Sequence, residues 1–107
     1  MLWIITCIAG PNAEAARAAG RAEHGPYLKA RDAMVFYAGP LLGDDGKGNL
    51  GNVYMIDAAS RAEAQAFADN EPFVKAGGFK EVTITRTRKG RFNAKVLELD
   101  PAPSKPE

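Results

Sequence analysis

Leu2-Trp3-Ile4-Ile5-Thr6-Cys7-Ile8, followed by Ala9-Gly10-Pro11-Asn12, is the stretch on which the fold turns. It is apolar or β-branched on both alternating faces and is ended by Gly10-Pro11, which is the pattern of a central strand covered on both sides. Asn12 stands where an N-cap is wanted, ahead of an alanine-rich helix running towards His24. Gly25-Pro26 is expected to interrupt that helix, because glycine weakens it and proline disfavours helical backbone in the residue before it. A shorter helical piece from Tyr27 to Asp32 then follows.

Met34 to Ala38 reads as a second strand closed by Gly39-Pro40, and the glycine-dense residues 43–51 read as a long hairpin connection to a third strand, Asn52 to Asp57. Ser60 and Glu63 have the capping-box spacing, so a helix is expected from Arg61 to about Ala68. Pro72 starts a short turn through Phe73 and Val74 to Gly77-Gly78, and Phe79 to Thr87 alternates as a fourth strand. Phe92 to Leu99 is expected to add an edge strand, which gives a domain over residues 1–99. A disordered tail is expected over residues 100–107. The order strand, helix, strand, strand, helix, strand is the α+β, ferredoxin-like split βαβ pattern, in which two helices cover one face of an antiparallel sheet. The other, apolar face then needs a cover, and a second copy of the chain, hence a homodimer, supplies it most economically.

With 107 residues the chain has room for one core and not for a second domain with its own site. Fourteen Lys and Arg against 13 Asp and Glu leave a formal charge of +1, which removes the electrostatic basis for nucleic-acid binding. Lys80, Arg86, Arg88, Lys89, Arg91 and Lys95 are interleaved with few aromatics and read as a charged solvent face or a protected sheet edge. The glycine-rich segment has neither P-loop nor dinucleotide spacing. Cys7 is the sole cysteine, so no intramolecular disulfide and no cysteine cluster for zinc can form. The opening residues lack a cationic segment and are too short to span a membrane, so a cytoplasmic protein is expected, with neither membrane nor nucleic acid among its partners.

His24 is the one histidine, and its ordinary titration range suits it to proton transfer near neutrality, although a histidine at a helix end more commonly caps or lies on the surface. Glu14, Arg17, Arg21 and His24 recur at helical spacing and form one polar stripe. That stripe is either a solvated face or a place where Arg21, with Arg17, attracts an anionic substrate beside His24. Asp69, Asn70 and Glu71 sit at the end of the second helix, where acidic groups gain nothing from the helix dipole. A carboxylate there is an ordinary solvated group or an orienter for an imidazole. One histidine and one cysteine on separate elements make no transition-metal set, so no metal or organic cofactor is expected.

Arg21-Ala-Glu-His24 with Tyr27-Leu28, then Ala38-Gly39-Pro40, then Ala66 to Val74 with Ala76-Gly77, resemble the YCII-related proteins over about residues 1–85. The resemblance implies a small dimeric α+β barrel and an active site centred on a histidine and an aspartate. His24 matches the histidine. Glu71 occupies the acid position before the proline, one methylene longer than the family's aspartate, with Asp69 as a second candidate partner. The resemblance also implies substrate contacts at Arg21, Gly39, Pro40 and Phe73. The activity it implies is cofactor-independent acid–base chemistry, of the lyase or dehydrochlorinase kind, on a small aromatic or enolic molecule. The alternative is a noncatalytic protein that binds a metabolite in the same pocket.

Overall fold

A computed structural model describes residues 1–100; the tail expected to be disordered lies, from Pro101 onward, outside the described residues. The element order is β1 (Leu2–Ala9), α1 (Ala13–Ala30), β2 (Val35–Leu42), β3 (Asn49–Asp57), α2 (Arg61–Asn70), α3 (Pro72–Lys75), β4 (Phe79–Thr87) and α4 (Ala94–Leu97). The four strands form one antiparallel sheet in the order β2-β3-β1-β4, which is the ferredoxin-like arrangement. As its two-sided apolarity requires, β1 is interior, flanked by β3 and β4.

Alternation along β1 sends Trp3, Ile5 and Cys7 to one face, where their register partners Ile56, Tyr54 and Asn52 on β3 join them. Helices α1 and α2 cover this face, and Trp3, Ile5, Cys7, Tyr54, Ile56, Ala64, Phe67 and Ala68 make one buried cluster with Tyr27 and Leu28 packed against it. Each such large side chain contributes roughly 1.5–3 kcal/mol of burial. Leu2, Ile4, Thr6, Ile8, Val53 and Met55 point the other way and are only half-buried.

Three local readings are corrected. The first helix is not interrupted at Gly25-Pro26 but runs unbroken through Pro26. Proline removes one helical hydrogen bond, and tertiary contacts hold the chain on either side: His24 bonds Glu71, while the Tyr27 hydroxyl donates to the Phe67 carbonyl at 2.7 Å. Gly39-Pro40 does not close the second strand, because β2 lies at the sheet edge, where a missing N–H is tolerated. The expected strand over Phe92 to Leu99 is the short helix α4, whose first turn is capped by Asn93 accepting from the Lys95 N–H at 3.1 Å. Asn12 does occupy the N-cap position of α1 but makes no side-chain cap bond, whereas Ser60 accepts from the Glu63 N–H as expected.

Cys7 is fully buried, and burial, reinforced by the negative charge of Glu71, pushes its thiol up to about 12. The folded thiol therefore holds its proton more tightly than the unfolded one. Its contribution to stability is complete below a pH of about 9 and is lost as pH climbs towards 12. Native protein should react with a thiol-specific disulfide reagent only as fast as it unfolds. Rapid labelling at pH 8 in the absence of denaturant would contradict this.

Candidate functional site

The buried residues of α1 are Ala16, Gly20 and His24, each four positions from the last, so they define the helix's inward stripe. Around the helix from Gly20, His24 lies roughly 40° off that stripe's centre, Arg17 roughly 60°, Arg21 roughly 100° and Glu14 roughly 120°. The polar stripe is thus graded: His24 is buried, Arg17 half-buried, and Arg21 and Glu14 exposed.

Glu71 is brought to His24 by Pro72. Proline pushes the preceding residue to extended backbone, and Glu71 has φ −68° and ψ 130°, which ends α2 at Asn70 and turns the chain into α3. Gly20 permits close approach of α3 to α1: a Cβ there would stand 3.0 Å from Phe73 Cδ1 and 3.2 Å from the Pro72 carbonyl carbon and oxygen. Across this contact His24 Nδ1 and Glu71 Oε1 are 2.5 Å apart. The other carboxylate oxygen, Oε2, accepts from the Phe73 N–H at 3.0 Å and the Val74 N–H at 3.2 Å, capping α3. Both partners are enclosed, His24 at 3% exposure and Glu71 at 0%. The glutamate side chain thus spans the α1–α3 contact to the imidazole.

The imidazole stacks on the Phe73 ring, with centroids 4.1 Å apart and planes 14° off parallel, and the Tyr54 ring stands 6.4 Å away on the sheet side. Burial of this kind is costly for a polar pair unless its hydrogen bonds are made, and here the carboxylate makes three. A carboxylate accepts only, so Nδ1 carries the shared proton and the lone pair of a neutral His24 lies on Nε2. The arrangement holds one imidazole nitrogen as a base and can stabilise the imidazolium formed when that nitrogen takes a proton.

Other expected residues are placed as follows. Phe73 is in the site. Asp69 is not His24's partner, because its carboxylate accepts from Gln65 Nε2 at 2.9 Å on the exposed side of α2. Gly39 and Pro40 lie on the edge strand opposite Val53 and Asn52. Two residues were not singled out from the sequence, Asn52 and Tyr54, which are 1% exposed and joined through Asn52 Nδ2 donating to the Tyr54 hydroxyl at 3.4 Å. The signal was there in β3: Asn52 shares alternation parity with Tyr54 and Ile56, and a polar residue on a core-facing position is the exception that marks a site. Burial raises the Tyr27 hydroxyl, opposed by Arg31 and assisted by Glu71. Among the described residues no group of three or more His, Cys, Asp or Glu is assembled that could hold a metal ion, and no helix is long and apolar enough to cross a membrane.

Comparison with known proteins bears on this geometry. The sequence matches the YCII-related domain over residues 1–88. A comparison with the curated proteins gave no match. Among solved structures, the chain is similar to 5-chloro-2-hydroxyhydroquinone dehydrochlorinase (TftG) from Burkholderia phenoliruptrix AC1100, in complex with 2,5-dihydroxybenzoquinone. The two share 32% identity, with 84% of this chain and 96% of that one covered and a TM-score of 0.75. Rv0793 from Mycobacterium tuberculosis shares 17% identity over 84% of this chain and 97% of its own, with a TM-score of 0.44.

Proposed function

The chain belongs to the YCII-related family, and from that membership we propose that it is a cofactor-independent enzyme in which His24 moves a proton on a small aromatic or enolic molecule and Glu71 orients it. One observation carries the reading: a histidine and a carboxylate 2.5 Å apart, enclosed among Phe73 and Tyr54, in a chain 32% identical to a dehydrochlorinase. In the step envisaged, His24 Nε2 takes the proton of an acidic O–H or C–H. The bonding pair enters the substrate's π system, and a leaving group such as chloride departs with its own pair. Glu71 balances the imidazolium, which then returns its proton to solvent or product.

Screening small phenols, hydroxyquinols and enolisable lactones by mass spectrometry tests this reading. Turnover of one of them should fall about 10²–10⁴-fold in His24→Ala while binding is largely retained. Turnover unaffected by the substitution would remove His24 from the chemistry. The almost complete burial of the pair favours a second reading, a metabolite-binding protein of the same pocket, for which no variant and no compound gives turnover.

We also propose that the protein is a cytoplasmic homodimer. Support comes from the half-buried face formed by Ile4, Thr6, Ile8, Val53 and Met55, extended onto β2 by Tyr37 and Leu41, while α1 and α2 occupy the opposite face. Light scattering should give twice the 11.4 kDa chain mass at micromolar concentration, and a concentration-independent monomer is the result that defeats the proposal.

A further inference from the structure

The enclosed pair needs a substrate-holding group and a way in, and the expected Arg21 supplies neither, since it lies on the exposed flank of α1. One turn earlier, Arg17 is placed differently. Its guanidinium carbon is 5.7 Å from the centroid of Phe73, the same ring on which His24 stacks, and its Nη1 is buried away from solvent. Arg17 also lines a cleft of about 440 Å³ at the start of α1, together with Gly10, Pro11, Glu14 and Asn49. Arg17 therefore borders both the cleft and the ring that packs on the histidine.

The sheet beneath α1 repeats this order. Asn52 pairs with Cys7, and Tyr54 pairs with Ile5, so Asn52 is the nearer of the two to the Ala9 end of β1 where the cleft opens. Tyr54 is the nearer to His24, with ring centroids 6.4 Å apart. On this face the buried polar side chains run Asn52, Tyr54 and His24 from the Ala9 end inward, and Arg17 reaches the same region through the Phe73 ring on which His24 stacks. The larger groove at the opposite end of β1, lined by Met1, Leu2, Met34, Phe36 and Phe92, contains no histidine and no buried carboxylate.

Resting on the acid–base reading above, we infer that Arg17, with Asn52 and Tyr54, holds the anionic oxygen of a planar single-ring enolate or phenolate that enters through the Gly10–Asn49 cleft. A guanidinium stays charged at all working pH values and offers a planar fork, which suits an oxyanion on a flat ring. An Asn amide and a Tyr hydroxyl add neutral donors, so an oxyanion is held without bringing a second cation up to His24. The cleft's volume is near the lower end of the roughly 300–1,000 Å³ usual for ligand sites, which suits one ring and not a nucleotide.

The probe is 2,5-dihydroxybenzoquinone, an acidic enol, titrated calorimetrically into the full chain and its variants. Arg17→Gln should weaken binding about ten- to hundredfold, the usual range for losing a charge-assisted contact, and Arg17→Lys should recover part of it. Asn52→Ala should weaken binding several-fold, and lowering the pH until the enol is protonated should erase the difference between wild type and Arg17→Gln. Thermal melts of each variant confirm that it is folded. Absence of binding to the wild-type chain, equal affinity in Arg17→Gln, or a loss confined to Arg21→Gln each overturns the inference. Binding that depends on Arg17, accompanied by no turnover anywhere in the substrate panel, supports the oxyanion site while rejecting the acid–base reading.

Discussion

Glu71→Ala is expected to lower the free energy of unfolding by about 3–5 kcal/mol, a large fraction of the roughly 5–15 kcal/mol available to a domain of this size. The effect has two sources. The substitution leaves His24 without its buried partner, and it removes the cap on the Phe73 and Val74 N–H groups, worth about 0.5–2 kcal/mol by itself. Glu71→Gln separates them. Its amide oxygen can still accept from the α3 backbone, but its NH₂ then faces Nδ1, so the histidine must carry its proton on Nε2 and loses the lone pair there. Chemical denaturation should therefore show a smaller loss for Gln than for Ala, while activity falls in both. The imidazole nitrogen shifts in NMR should report the exchanged tautomer. A loss below about 1 kcal/mol in Glu71→Ala would mean that the enclosed pair contributes little, contrary to the cost of leaving a buried polar group unmatched.

Gly51→Ala is expected to be more damaging than any other exchange of a glycine for alanine in the chain, costing at least about 3 kcal/mol or preventing folding. At φ +147° the residue adopts backbone that a side chain rarely takes, and a Cβ there would sit 1.9 Å from the Cys7 carbonyl oxygen. That oxygen belongs to the neighbouring strand, so relief requires β1 and β3 to part where Cys7 faces Asn52 and Ile8 faces Gly51. Asn52 and its bond to Tyr54 would be displaced with them. Gly46 and Gly48 serve as controls: both have positive φ, +77° and +67°, but open space around the missing Cβ, so alanine there should cost only about 1–2 kcal/mol. Thermal denaturation of the three variants gives the order, and a Gly51→Ala protein as stable as Gly46→Ala would contradict the close approach.

Much of the architecture is written locally. A run apolar on both faces makes β1 interior, the Ser60–Glu63 spacing starts α2, Pro72 starts α3, and the alternation from Phe79 to Thr87 delimits β4. These features depend on side chains and backbone within a few residues of each other, so composition and spacing suffice to read them. The resemblance likewise singled out His24, Glu71 and Phe73, which the structure brings together.

Other features depend on contacts between distant segments. Gly25-Pro26 is a helix breaker by its local chemistry, yet α1 continues through it because His24 and Tyr27 are held by Glu71 and Phe67, residues 47 and 40 positions away. The choice of Glu71 over Asp69 follows from the extended turn before Pro72 and the close approach at Gly20, neither of which is legible in Asp69-Asn70-Glu71 by itself. Asn52 and Tyr54 share the buried face only through the β1–β3 register, and Arg17 lies nearer that face than Arg21 because a 100° step per residue tilts the polar stripe across its edge. Periodicity along the chain determines which residues can share a face. How far each is sunk into the protein is decided by what packs against that face, and here α3 and the sheet enclose His24 and Glu71 while leaving Arg21 in water.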